Sequence, residues 1–200
     1  ERLNANDTYA SIFAQFSLGD KHIFKSDFNY TKIQLSYIQP WQLGGIGRLR
    51  STLEAGKTFG TVPLGLLSVV PGNQSYFSIY KSFSQLNYYE FVTDTYAAMH
   101  LEHNFNGRLF SRIPLLRKLN WREIIGFRAV CGDLAQKNID ISAPSNIPLI
   151  APTDEIYYEY SVGIGNIFRV FRIDFNFRGN YFDNPGARDF GITGSFGFQF

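Results

Sequence analysis

His100, Glu102 and His103 are the residues whose types and spacing come nearest to a metal or acid–base site. Alternate side chains of a β-strand point to opposite faces, so His100 and Glu102 share one face and His103 lies on the other. Three ligands from this strand therefore cannot converge on a metal ion. We predict a His100–Glu102 hydrogen bond and no metal site.

Other side chains with catalytic potential are Ser84, Asp94 and Ser111. An enzyme of this kind needs a nucleophile beside a base, or a pair of acids. The sequence has no nucleophile elbow and no repeated acid–His spacing. Gly44-Gly45-x-Gly47 lacks the Lys-Ser/Thr that completes a phosphate loop, so it predicts a turn. We predict no catalytic residue and no cofactor.

Charged residues recur at alternate positions of several otherwise apolar segments, which places them on one face of each predicted strand. Charges on an enclosed face need partners or water. The signs are nearly balanced, which indicates an ion-pair network, whereas a selective pore would present rings of one sign. The predicted network comprises Arg48, Arg50, Glu54, His100, Glu102, Arg128, Glu159, Arg172, Asp174 and Arg178.

The elements that carry these charges are strands longer than the five or six residues usual in soluble sheets. Their length matches tilted strands that cross a membrane. The alternating segments are roughly 8–18, 28–40, 46–59, 94–106, 121–133, 156–165, 169–180 and 190–200.

The last strand has an aromatic face opposite a small, polar one. Phe196, Phe198 and Phe200 form the C-terminal aromatic pattern that we predict as an insertion signal for a bacterial outer membrane. Gly191, Gly194 and Gly197 weaken strand pairing, so we predict a seam of the barrel there.

Composition agrees with a membrane barrel. Aromatic residues make up 17% of the 200 residues and charged residues 18%, below the roughly 25% of soluble domains. A net charge of +2 gives little support for nucleic-acid binding. We predict an all-β fold: a transmembrane antiparallel β-barrel with about eight strands in this chain, the C-terminal half of a sixteen-stranded barrel. We also expect this chain to be the C-terminal piece of a longer one.

Two connections stand out in this barrel of residues 1–200. Residues 60–93 are too apolar for a solvated loop, so we predict an external loop inserted into the lumen. The alternative is an extra hairpin with strands at 75–80 and 83–91. Residues 107–120 mix Leu with Arg and Lys, which predicts a periplasmic connection with a short amphipathic helix.

Several segments together resemble a family of uncharacterised Gram-negative outer-membrane proteins that carry a carboxypeptidase-regulatory-like domain before a large barrel. The segments are 60–64, 71–76, 89–94, 100–107 and 113–119. The barrel in turn resembles the bacterial surface-antigen superfamily, which assembles or translocates outer-membrane proteins and inserts its sixth external loop into the lumen. Residues 60–93 lack the Arg-Gly tip of that loop, and the only Phe-Arg-Gly is Phe177-Arg178-Gly179.

The resemblance implies a non-enzymatic assembly, translocation or scaffold component of an envelope complex. Its expected partners are outer-membrane lipid and lipopolysaccharide, the barrel-assembly machinery during insertion, and other envelope proteins, with no nucleic acid. The main alternative is a passive channel or solute transporter. Two further alternatives are a complete eight-stranded barrel and a soluble lipid-binding barrel with its Phe face inward.

Overall fold

A computed structural model describes residues 9–21, 26–143 and 149–197. The protein is mostly β, with 50% strand and 12% helix. The strands are β1 (Ser11–Gly19), β2 (Tyr30–Gln42), β3 (Arg48–Gly60), β4 (Ser68–Val69), β5 (Val92–Thr93), β6 (Thr95–Asn104), β7 (Arg122–Asp133), β8 (Tyr157–Ile167), β9 (Phe171–Arg178) and β10 (Phe190–Phe196).

Eight of these strands form one antiparallel sheet in the order β1-β2-β3-β6-β7-β8-β9-β10, while β4 and β5 pair separately. Each strand of the large sheet therefore pairs with the strands of this sheet that precede and follow it in the sequence, although the long connection that contains β4 and β5 separates β3 from β6. The large sheet has the predicted number of strands, and their bounds differ from the predicted ones by a few residues. The described part of the last strand ends at Phe196.

The register aligns polar residues into rows that run across the sheet. Thr52 stands opposite His100, His100 opposite Arg128, Arg128 opposite Glu159, and Glu159 opposite Arg178. Directly opposed residues share one face of a sheet. We call this the polar face; it is the side on which Glu54, Glu102 and Asp174 also lie.

The other side, the apolar face, is exposed. Val162 is 50% exposed and Phe196 66%. Aromatic rings contact each other across this face, with ring centroids 5.2 Å apart for Tyr160 and Phe177 and 4.3 Å for Phe171 and Phe196. The alternative of a soluble barrel with its Phe face inward is therefore wrong for this sheet.

Helical structure is confined to connections. Residues 107–120 contain a 3₁₀ turn, Phe110–Arg112, and the short helix α1, Pro114–Arg117. A second helix, α2 (Gln136–Ser142), follows β7 and was not predicted from the sequence. Among the described residues, no helix is long and apolar enough to cross a membrane.

The sheet is not closed into a barrel. Among the described residues no ladder joins β1 to β10, so both strands are edges. β1 is correspondingly exposed on both faces, with Phe13 at 58% and Phe16 at 65%. The alternative of a complete small barrel is not what this structure shows, because its closing hydrogen bonds are not formed.

The hydrophobic core lies between residues 60–93 and the polar face. Its main cluster contains Phe83, Leu86 and Phe91 from this segment, packed with Val130 and Tyr157 of the sheet. The segment thus supplies the apolar cover that the polar face of the sheet lacks.

Candidate functional site

The candidate site is the interface between the polar face and residues 60–93, which we call the covering segment. Between β4 and β5, the described backbone of this segment forms only isolated bridges, one of them between Gly72 and Phe83. The alternative hairpin with strands at 75–80 and 83–91 is therefore not formed. Because its only ladder among the described residues is the two-residue pairing of β4 with β5, the segment depends on bonds to the sheet.

Glu159 is the centre of this interface. The alternation of β8 directs its carboxylate into the polar face, where the residue is 0% exposed. The carboxylate accepts the backbone N–H groups of Ser84 at 2.6 Å and Gln85 at 2.9 Å. Arg128, opposite in β7, lies 3.0 Å away and supplies the counter-charge. Such charge-assisted bonds are stronger than neutral ones, so Glu159 fixes the middle of the covering segment.

The two charged residues of the covering segment, Lys81 and Glu90, both pair with the sheet. Lys81 contacts Glu54 of β3, and Glu90 contacts Arg178 of β9. The predicted network omitted both residues because they follow no strand periodicity. The sequence nevertheless points to both residues, because charged side chains within an apolar segment need partners.

Arg172 joins two of the predicted acids. Its guanidinium lies 2.7 Å from Glu102 and 2.8 Å from Asp174. Arg48 and Arg50 lie in β3, which pairs with β6, and Arg50 stands opposite Glu102 in that ladder. The structure thus groups the predicted charges into several small clusters along one face.

Arg188, in the connection between β9 and β10, is a third charged residue of this interface that the predicted ion-pair network did not include. Its guanidinium donates to the carbonyl oxygens of Asn73 at 2.7 Å and Ser84 at 3.2 Å. This residue lies in no predicted strand, so alternation could not identify it. It fixes the covering segment from the side of the last hairpin.

The predicted hydrogen bond between His100 and Glu102 is wrong. Neither ring nitrogen of His100 has a hydrogen-bond partner among the described residues, and Glu102 is engaged with Arg172. The His100 ring instead lies 5.0 Å from that of Phe83. His100 and Glu102 share a face of β6 but do not contact each other, because Arg172 binds Glu102 and His100 packs against Phe83.

Two cavities between the covering segment and the sheet share His100 in their linings. One, of ≈ 290 Å³, also contacts Lys32, Glu54 and Tyr96. The other, of ≈ 270 Å³, is lined by Arg50, Lys81, Arg128, Arg172 and Glu102 among others. The space left under the segment is therefore divided into two cavities, each with charged side chains in its lining.

Ser84, Ser111 and Asp94, which were considered for catalysis, make hydrogen bonds at three separate places in the structure. The Ser84 hydroxyl accepts from Arg128 at 3.3 Å, and Ser111 donates to the Arg108 carbonyl at 2.9 Å. Asp94 accepts from the Ala135 N–H at 2.8 Å and the Asn138 amide at 2.9 Å. Within the described ranges, no group of three His, Cys, Asp or Glu residues is arranged to hold a metal ion.

The covering segment also contacts the last strand. The Gly194 N–H donates to Tyr76 and its carbonyl accepts from Ser78, both at 2.8 Å. A Cβ on Gly191 would lie 2.8 Å from the Gln85 amide, so this glycine permits the close approach. A Cβ on Gly197 would meet nothing within 4 Å. Phe198 and Phe200 of the predicted insertion signal lie outside the described residues.

Comparison with known proteins gives one family. Residues 1–141 match the model described as family of unknown function (DUF5686) C-terminal domain. The matched stretch includes β1 to β7 and the covering segment. No match was found among curated proteins.

Proposed function

We propose that this chain, which belongs to the family of unknown function (DUF5686) C-terminal domain, forms part of a transmembrane β-barrel in a bacterial outer membrane. Its proposed role is non-enzymatic: an assembly, translocation or scaffold component that works with other envelope proteins. In this proposal, the polar face lines the lumen, the apolar face contacts lipid, and the covering segment fills the lumen.

The observation that carries the proposal is the inverted burial of the sheet. Charged residues such as Glu159 and Arg178 are 0% and 3% exposed, while Val162 on the apolar face is 50% exposed. Each large apolar side chain left in water forgoes about 1.5–3 kcal/mol relative to burial. A row of them on one face is expected where the surrounding solvent is lipid, with polar groups facing the barrel interior.

The superfamily resemblance is supported by the position of the covering segment. The segment precedes β6, the fifth strand from the end of the large sheet, and packs across the polar face. That arrangement agrees with a lumen-inserted external loop. The missing Arg-Gly tip means that assembly activity does not carry over through those residues.

The proposed seam is refined by the contacts of the last strand. A barrel can open sideways where its closing strand pairs weakly with its opening strand. Gly194 presents both of its backbone groups to the covering segment, so opening at β10 would involve releasing Tyr76 and Ser78. We propose that the covering segment controls this edge.

The membrane proposal is tested by placing a charge at the middle of the apolar face. Val162→Lys at the centre of β8 should destabilise the full natural protein in lipid vesicles by about 2–4 kcal/mol, because a lysine at the bilayer midplane is desolvated. Ile156→Lys is the matched control, since this exposed residue precedes β8 and lies near the proposed interface. The control should cost about 0–1 kcal/mol. Urea unfolding measures both.

Equal, near-zero effects of the two substitutions would show that the apolar face meets water and would overturn the proposal. The alternative function, a passive channel, is favoured by the two cavities beneath the covering segment, which charged side chains line in part. Planar-bilayer recordings separate the two functions, because a channel gives large, steady openings without any change to the covering segment.

A further inference from the structure

A basic groove of ≈ 860 Å³ lies at the end of the sheet where β6 connects to β7 and β8 connects to β9. Its cationic lining residues are Arg117, Lys118, Arg122 and Arg169. No carboxylate lines the groove among the described residues, although the chain as a whole is nearly neutral. The groove is therefore a concentrated site of positive charge.

The groove is held open by bonds between its two walls. Asn166, beside the turn after β8, donates its side-chain amide to the Asn120 carbonyl at 2.7 Å. Within the β6–β7 side of the groove, Glu123, which does not line it, accepts the backbone N–H of Phe110. Gly107, at φ +78°, lies so close to Trp121 that a Cβ would be 2.8 Å from its carbonyl oxygen. These contacts indicate a preformed surface.

Large apolar side chains are exposed in the same part of the molecule. Phe168 lines the groove and is 85% exposed, and Leu115, two residues before Arg117, is 81% exposed. Phe168 also has a φ of +49°, a left-handed conformation that is unfavourable for a bulky residue. Strain of this kind persists where the surrounding structure imposes it, and it is concentrated at functional sites.

The groove lies at the rim of the sheet, next to the apolar face. Trp121 and Phe168 line the groove, and a few residues further along β7 and β8 the apolar face carries Ile125, 46% exposed, opposite Val162. The anionic head of an amphipathic ligand would meet the cations of the groove, and its apolar tail would meet the apolar face. A soluble anion would use only the cations.

We infer that the basic groove docks the phosphate headgroups of anionic phospholipids at one rim of the sheet, an inference that rests on the proposed membrane location. Arg and Lys bind the phosphate, and Phe168 and Leu115 enter the boundary between headgroups and acyl chains, as interfacial amphipathic surfaces do. The groove thus gives the barrel a preference for anionic lipid on that side.

Trp121 lines the groove and provides a local reporter, and Trp41 is the other tryptophan of this chain. The full natural protein, with phenylalanine in place of Trp41 and of any tryptophan outside these 200 residues, is reconstituted into vesicles of phosphatidylcholine and phosphatidylglycerol in equal parts, with bromine labels on one lipid or the other. We expect the Trp121 fluorescence to be quenched more strongly by brominated phosphatidylglycerol. In Arg117→Gln/Lys118→Gln, this preference should fall roughly tenfold, because each cation near an anionic surface adds a several-fold factor.

The matched control is Lys57→Gln/Lys137→Gln, which removes two exposed lysines away from the groove. It should keep the preference. An equal loss in both variants, or none in either, would overturn the inference. Equal quenching by both lipids would contradict this inference alone. No quenching by either lipid would also contradict the proposed membrane location.

Discussion

At the level of single residues, the carboxylate of Glu159 takes the place of water for several groups at once. It receives two backbone N–H groups of the covering segment and the guanidinium of Arg128 while being fully buried. A buried charge is tolerated only when its lone pairs are satisfied in this way. Removing either partner leaves the other charge without compensation.

Glu159→Gln should therefore lower the free energy of unfolding by about 3–5 kcal/mol, because the amide replaces one acceptor by a donor and leaves Arg128 unpaired. Limited proteolysis should also cut the covering segment faster. Glu155→Gln, at an exposed position before β8, is the control and should change neither measurement. Unchanged stability of Glu159→Gln would mean that water, and not the carboxylate, satisfies Ser84 and Gln85.

At the level of elements, alternation predicted the eight strands because each has one apolar and one polar face. It also separated the covering segment, which is apolar without a period. It could not predict which side chains pair across the interface: Arg172 competes for Glu102 and displaces the expected partner, His100. Nor does alternation report on Arg188 or α2, which lie in connections where no periodic face constrains the sequence.

The position of the covering segment can be tested by a cross-link to the last strand. The hydroxyl oxygens of Ser78 and Thr193 are 3.0 Å apart, so cysteines at these two positions should form a disulfide on mild oxidation. The experiment uses Cys131→Ala to remove the native thiol. Ser75→Cys with Thr193→Cys is the control pair and should stay reduced, because the Ser75 hydroxyl faces Asn73. Gel mobility reports the bond, and a cross-link in the control pair alone would place the segment elsewhere.

At the level of the whole molecule, the sheet and the covering segment form a unit whose polar side is filled and whose apolar side is exposed. The two ends of the segment come together, since the Val70 N–H donates to the Phe91 carbonyl at 3.0 Å. Residues 73–89 can therefore be replaced by a short flexible linker without stretching the sheet. This makes the function of the segment accessible to a direct measurement.

In planar bilayers, the full natural protein should give small or rare openings, and the variant without residues 73–89 should give large, steady ones. The reason is that the deletion removes residues 78–81 from the lining of the ≈ 270 Å³ cavity and Phe83 from that of the ≈ 290 Å³ cavity, which exposes the charged polar face to water. The Ser78–Thr193 cross-linked protein serves as the closed control. Equal conductance of the deletion variant and the unaltered protein would show that the segment does not obstruct the interior.

The bonds between Gly194 and the covering segment also bear on how the protein avoids aggregation. A free strand edge is a template to which another chain can add, and β10 is such an edge in this sheet. Tyr76 and Ser78 occupy the N–H and the carbonyl of Gly194, so a foreign strand arriving at this edge finds the ladder interrupted near its middle. The covering segment therefore hinders the addition of a strand from another molecule for as long as β10 is not paired with a further strand of its own barrel.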